Sequence, residues 1–463
     1  MANTRPNSAN TMISLLAVFV VLLSCNKGTF LDKKPNTNLV VPATLTDFQA
    51  LLDNGLVMDF TPVLGELSAD NFYVPYSFWQ TINTLEHSAY IWSKDIYGGQ
   101  GQVQDWDNSY SQVFYANVVL AGLPAVPVND GNQQQWNALK GAALFIRSYA
   151  FFNVAQLFAP AYDSLSGVSD LGIPLRLEPN INIVSTRSTV QQTYSQILAD
   201  LKDACNLLPD AIPYANRNRP SRPAAMALLA RVFLSMRAYH QAGLYADSCL
   251  HLYNTLIDFN KVDTGYFPFT NLNAETMYQS SFLQYTQVLA GAFSPYCIVD
   301  SGLYRSYNAN DLRRKIFYRI NSNNDPNGKE NYSGGQFPFS GLATDEVYLI
   351  SAESAARAGN TGTALSDLNM LLTNRWVKGT FNPITQSSPT ALLDTVLVER
   401  RKELAFRGLR WTDLRRLNKE GARDTLRRVL NGTTYQLLPN DPLYVLPIPP
   451  DVISLSGIQQ NPR

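Results

Sequence analysis

Apolar residues recur at helical spacing along most of the chain. Over residues 223–253, Ala227, Ala230, Leu234 and Ala238 share one stripe. Ala242, Tyr245, Ala246, Cys249, Leu250 and Tyr253 share a second, at i, i+3, i+4, i+7. This spacing predicts two antiparallel helices whose small facing residues let the backbones approach closely. The pattern returns over 345–372, with Ala352 in the place of Ala230, Ala364 of Ala242, Leu368 of Ala246 and Leu372 of Leu250. One such pair cannot bury its apolar faces alone, so the repetition predicts a tetratricopeptide-like stack.

Other stretches carry the same period. Trp106, Tyr110, Val113 and Phe114 mark a helix over 104–123. A second, over 134–158, is nearly apolar from Ala142 onward and is stopped by Pro160. Ser188 or Thr189 can cap a third, with Tyr194, Ile197, Leu198, Leu201, Ala204 and Leu208 on its face. Thr46 and Asp47 precede Phe48, Leu51 and Leu52 in a short capped helix, and 391–417 reads as another helical pair. Two stretches break the period, 65–101 and 258–341; both are rich in aromatic residues. The predicted fold class is therefore mostly α, a tetratricopeptide-like helical-repeat scaffold with large irregular insertions, in a single domain over 25–463.

The first stretch stands apart. Residues 12–24, MISLLAVFVVLLS, are apolar. The run is too short to span a bilayer, which takes about 20 residues, and has the length of a signal-peptide core. Leu22-Leu23-Ser24-Cys25 resembles the lipobox of bacterial lipoproteins. Residues 1–24 are thus expected to be a signal peptide, with Cys25 lipidated and anchoring the exported protein to a membrane. The remaining cysteines, Cys205, Cys249 and Cys297, are odd in number, which argues against a complete disulfide framework. Cys205 and Cys249 fall on apolar helix faces and are expected in the core.

Composition narrows the ligand class. Charged residues make up only 16% of the 463, against about 25% in typical domains. Lys+Arg and Asp+Glu balance at 37 each, so no net field favours nucleic acid. Neutral polar residues and 11% aromatics suit an uncharged, hydroxyl-rich ligand. Sugar rings offer a C–H-rich face that aromatic side chains cover while amides and hydroxyls bond the sugar hydroxyls. The candidates in the two insertions are Tyr73, Tyr76, Trp79, Trp92, Tyr97, Tyr266, Tyr304 and Tyr307.

Other chemistry is less well supported. Glu66 with Asp70, or Glu86 with Asp95, could be sought as a hydrolytic pair, but such a pair must lie about 5–9.5 Å apart across a sugar, which sequence does not show. The basic run Arg400, Arg401, Arg407, Arg410, Arg415 and Arg416 is interleaved with Glu399, Glu403, Asp413 and Glu420. Pairs such as Arg400–Glu403 and Asp413–Arg416 predict a structural ion network. The histidines, His87, His240 and His251, lack metal-ligand spacing. No catalytic residue, cofactor or metal is expected.

Five blocks, in order, resemble the SusD/RagB family of outer-membrane lipoproteins of Bacteroidetes. They are Arg147-Ser148-Tyr149-Ala150-Phe151-Phe152 with Gly172-Ile173-Pro174; Arg219-Pro220 with the run Ala227 to Leu234; Asp345-Glu346-Val347-Tyr348-Leu349 with Ala352-Glu353; Glu399-Arg400-Arg401-Lys402-Glu403-Leu404 with Arg410-Trp411-Thr412-Asp413-Leu414; and Pro447-Ile448-Pro449. Arg407 departs from the family pattern, which commonly carries Glu there. The resemblance implies a non-catalytic, cell-surface binder of an oligosaccharide that delivers it to a SusC-like TonB-dependent transporter. A peptide-capturing binder of the same architecture, a repeat scaffold for protein assembly and a helical glycosidase are the alternatives.

Overall fold

Each alanine-striped segment folds as a helix pair. In this computed structural model, which describes residues 42–290, 294–329, 332–422 and 424–463, the first pair is Arg222–Ser235 and Tyr239–Leu252. The second is Thr344–Arg357 and Thr361–Thr373. The leader and Cys25 lie outside the described residues. No helix among the described residues is long and apolar enough to cross a membrane.

In chain order, α1 (Leu45–Leu52), α2 (Gly55–Met58), α3 (Leu64–Ser68), α4 (Tyr76–Trp79) and α5 (Thr84–Tyr90) precede the long helices α6 (Gln104–Gly122), α7 (Gln133–Phe158) and α8 (Val190–Leu207). The first pair is α9 and α10. Two short helices follow, α11 (Ser301–Ser306) and α12 (Arg313–Ile316), then the second pair, α13 and α14. Last come α15 (Pro389–Glu403), α16 (Arg410–Asn418) and α17 (Pro450–Ser456).

The long helices pack in sequence. α7 lies between α6 and α8, α8 meets α9, α9 packs on α10, α10 on α13, and α13 on both α14 and α15. Small residues set the spacing: Ala227, Ala230, Ala242, Ala246, Ala352 and Ala364 are all buried. At the α10–α13 crossing, a Cβ on Gly243 would sit 3.0 Å from Ser354 Cβ, so glycine permits the approach. α7 is buried almost throughout from Leu139 onward, as expected of a helix apolar on every side.

Caps locate the helix ends. Thr189 forms a capping box with Gln192 and starts α8. Thr44, not Thr46, caps α1, its side chain accepting from the Asp47 amide. Asp47 is the third residue of the helix, and its carboxylate accepts from the Thr44 amide, which explains why the local sequence places the cap a little late.

The charged residues of the five sequence blocks bind helices together inside the protein. Arg147 on α7 grips Asp200 on α8 through two 2.8 Å bonds and donates to Asn117 on α6. Arg231 on α9 grips Glu346 on α13 and the Gly341 carbonyl. The Asp413–Arg416 pair forms at 2.8 Å. The expected Arg400–Glu403 pair does not. Arg400 turns to Asp413, while Glu403 accepts from Arg313 of the second insertion and from Arg375 just after α14. Burial selects these partners, because a charge without a partner inside a protein is costly. Arg407, between Phe406 and Gly408 with positive φ, pairs with Asp345 and lies over the rings of Tyr332 and Phe339. Cys205, Cys249 and Cys297 are free and buried.

The first insertion is less irregular than its sequence implies, since α3, α4 and α5 occupy much of it. Their length, four to seven residues, is too short to leave a periodic signature. Strands of two to five residues likewise escape detection. In chain order the strands are β1 (Phe60–Thr61), β2 (Phe72–Tyr73), β3 (Leu171–Pro174), β4 (Arg187–Thr189), β5 (Thr276–Tyr278), β6 (Ser281–Phe282), β7 (Ile298–Val299), β8 (Tyr318–Ile320), β9 (Pro326–Gly328), β10 (Leu342–Ala343), β11 (Leu426–Leu430) and β12 (Thr433–Leu437). The four-stranded sheet runs β2, β7, β9, β8. It takes one strand from the first insertion and three from the second.

Candidate functional site

This antiparallel sheet organises the aromatic residues of both insertions. Phe72 pairs with Val299 and Tyr73 with Ile298; Ile298 pairs with Asn327, and Asn327 with Arg319. Successive side chains on a strand point to opposite faces. Phe72 and Val299 are therefore buried, Phe72 stacking on Tyr90 and on Phe406 of the scaffold at centroid distances of 6.0 and 6.2 Å. Tyr73, on the other face, is 42% exposed. Along the same row, Tyr266 lies 5.2 Å over the Arg319 guanidinium.

A second contact joins the insertions beside this row. Phe78 of α4 stacks on Tyr296 at 3.9 Å and 15°. Tyr296 is two residues from Ile298, the strand partner of Tyr73, and is also 42% exposed. Asn327 supports the segment before β7 by donating to the carbonyls of Pro295 and Cys297. Next to Phe78, Tyr76 stacks on Trp79 at 5.9 Å, and Trp79 on His87 at 3.8 Å.

Buried polar groups lock this arrangement. Glu86 on α5 accepts from the amides of Gln287 and Val288 in the second insertion. Asp105 on α6 accepts from the Val63 and Leu64 amides and from the Tyr285 hydroxyl. Asp70 is gripped by Arg410 at 2.7 and 2.9 Å and lies 3.2 Å from Arg401. Burial alone would raise its pKa, but the Arg410 bonds and the charges of Arg410, Arg401 and Arg428 hold it at about 2. Glu66 accepts from Asn71 and from the Gly408 amide; burial outweighs these bonds and pushes it up to about 7. Asp95 accepts from the Tyr97 and Gly98 amides. Glu66, Asp70 and Glu86 thus tie distant segments together, and Asp95 closes a local turn.

Residues 29–234 match a family described as starch-binding and associating with the outer membrane. Residues 296–463 match the SusD family. The chain belongs to the SusD/RagB family. It is 24% identical to SusD-like protein P2 of Formosa agariphila, over 77% of this chain and 79% of that one. Its fold is similar to that of a sugar-binding protein from Bacteroides vulgatus ATCC 8482, at a TM-score of 0.74 and 22% identity over 91% of this chain and 99% of that one. It is also similar to a laminarin-binding SusD-like protein, at 0.64 and 17% over 90% and 98%.

Within this SusD/RagB chain the eight candidate aromatics separate by burial. Trp79, Trp92, Tyr97 and Tyr307 are buried, with their polar atoms on backbone carbonyls. Trp79 donates to His87 O, Trp92 to Ser68 O, Tyr97 to Pro447 O and Tyr307 to Lys402 O. These bonds fasten the insertions to themselves and to the scaffold. Tyr73 and Tyr266 are exposed, and Tyr76 and Tyr304 half-buried. Tyr304 carries Arg314 over its ring at 4.7 Å. The face gains Phe78 and Tyr296, which periodicity could not single out. The one available signal for Tyr296 is its place after Pro295, in a turn-prone segment where an aromatic has little chance of burial.

Proposed function

We propose that this SusD/RagB protein binds an oligosaccharide at the cell surface without altering it, and passes it to a SusC-like TonB-dependent outer-membrane transporter. The Phe78–Tyr296 stack beside Tyr73 carries this reading. It presents flat apolar rings to solvent on a frame fixed by buried bonds, with Tyr76 and Tyr266 extending the same surface. Such rings cover the apolar faces of sugars, and a rigid frame lowers the ordering cost of binding. The two relatives with sugar-binding and laminarin-binding names support the ligand class.

Cys25, outside the described residues, supplies the lipid anchor in this reading, after removal of residues 1–24. Residues 25–463 then act as one domain at the outer membrane. The test is affinity electrophoresis and calorimetry against a panel of oligosaccharides, laminarin-derived chains included, with product analysis of each mixture. Retention of at least one glycan without turnover, lost in Tyr73→Ala with Tyr296→Ala, is the expected result. Hydrolysis of a retained glycan, or retention of peptides and no glycan, would overturn it.

A further inference from the structure

Away from the aromatic face, the structure opens a groove of about 580 Å³. Its floor is one stripe of α6, Trp106, Tyr110 and Phe114, at successive i, i+4 positions. One wall is the loop after β3 (Leu171–Pro174), bearing Ile181 and Val184 at 76% and 69% exposure. The other wall is α17, whose Leu455 is 84% exposed. Aliphatic side chains left this open on two separate elements facing an aromatic floor mark an interaction site. The volume falls within the range of about 300–1,000 Å³ usual for binding pockets.

The loop wall is built rather than loose. Arg176 donates to the carbonyls of Asn180 and Ile183 and to the Ser185 hydroxyl. Asn117 on α6 in turn donates to the Arg176 carbonyl. These bonds turn the groove's own cation onto its wall. The rim of the groove is acidic. Asp107, on α6 beside Trp106, is half-buried and near enough to Asp451, at the start of α17, to feel its charge. Burial and the neighbouring Asp451 charge both raise its pKa. Neither carboxylate forms an ion pair among the described residues. Two like charges beside an apolar floor, without a cation of their own, favour an incoming positive group.

We infer that this groove docks a short apolar segment of a partner protein that carries a lysine or arginine, its aliphatic side chains on the Trp106–Phe114 stripe against Leu455 and Ile181, and its cation between Asp107 and Asp451. The acidic rim disfavours an anionic lipid surface as the occupant. The groove shares no lining residue with the aromatic face, so docking and glycan capture can be measured separately.

The test selects phage-displayed random heptapeptides on the immobilised protein, then measures the enriched peptides by fluorescence anisotropy. Enrichment of apolar peptides bearing one basic residue is expected. Their affinity should fall at least about tenfold in Leu455→Asp combined with Ile181→Asp, because truncating a central anchor costs about this much. In Asp107→Asn with Asp451→Asn the preference for a basic residue should disappear. Tyr73→Ala with Tyr296→Ala should leave peptide binding unchanged, which separates this site from the glycan reading. Leu455 and Ile181 are exposed, so their variants should fold, and circular dichroism on each checks that they do. Three results overturn the inference: no enrichment, enrichment indifferent to the groove variants, or association of the protein with phosphatidylcholine vesicles that is lost in Leu455→Asp.

Discussion

Phe78 and Tyr296, 218 positions apart in sequence, lie face to face at 3.9 Å. Each belongs to a different insertion, and neither has a scaffold helix as its partner in this stack. The contact makes one surface out of two loops. Replacing Tyr296 with alanine removes a ring that is open to solvent on its far side. Glycan affinity should drop by about tenfold or more, while stability falls by only about 0.5–1.5 kcal/mol, the usual worth of an aromatic pair. Calorimetric titration and urea unfolding on the same variant check both numbers.

The buried candidates should behave in the opposite way. Tyr97→Phe deletes only the hydroxyl that donates to the Pro447 carbonyl. The loss should be about 1 kcal/mol of stability with no change in glycan affinity. Trp92→Ala, which removes a buried indole under Arg428, should cost about 3–5 kcal/mol. Denaturant midpoints measured beside binding separate these structural rings from the exposed ones.

Arg147 and Asp200 define a third expectation. Removing the arginine leaves a buried carboxylate with only the Gln196 amide and its surroundings to hold it. Arg147→Met should destabilise by about 3–5 kcal/mol, while Arg147→Met with Asp200→Leu recovers much of the loss. A double-mutant cycle by urea unfolding reads the coupling directly.

Glu66 gives a pH signature. Its carboxyl titrates near 7 in the folded protein against a usual 4.5, because burial outweighs the bonds from Asn71 and Gly408. Folding therefore favours its protonated form, and the associated stability is lost as pH rises from about 4.5 through 7. Glu66→Gln should flatten that part of the profile and be more stable than the parent at pH 8 by about 1–2 kcal/mol. Thermal midpoints at pH 5 and pH 8, compared between the two proteins, test the sign.

The helical scaffold was legible because its determinants are local and repeated. Alanines at i, i+3, i+4 set the pairs α9–α10 and α13–α14, and Pro160 and Thr189 marked ends that the structure keeps. The aromatic richness of the insertions was equally plain. What sequence could not do was divide those aromatics. Trp92 and Tyr73 look alike as residues in one loop-rich stretch. Only the pleat of β2, paired with β7 from far along the chain, turns Tyr73 outward, and only the Ser68 carbonyl and the Arg428 guanidinium close over Trp92. The ion partners follow the same logic. Asp413–Arg416 is one helical turn and could be foreseen, whereas Glu403 finds Arg313 and Arg375 because burial admits no unpaired charge. Sequence thus determined the scaffold and the stretches that carry function. Tertiary pairing between distant segments decided which side chains in those stretches meet solvent, since exposure is a property of neighbours that the local chain does not contain.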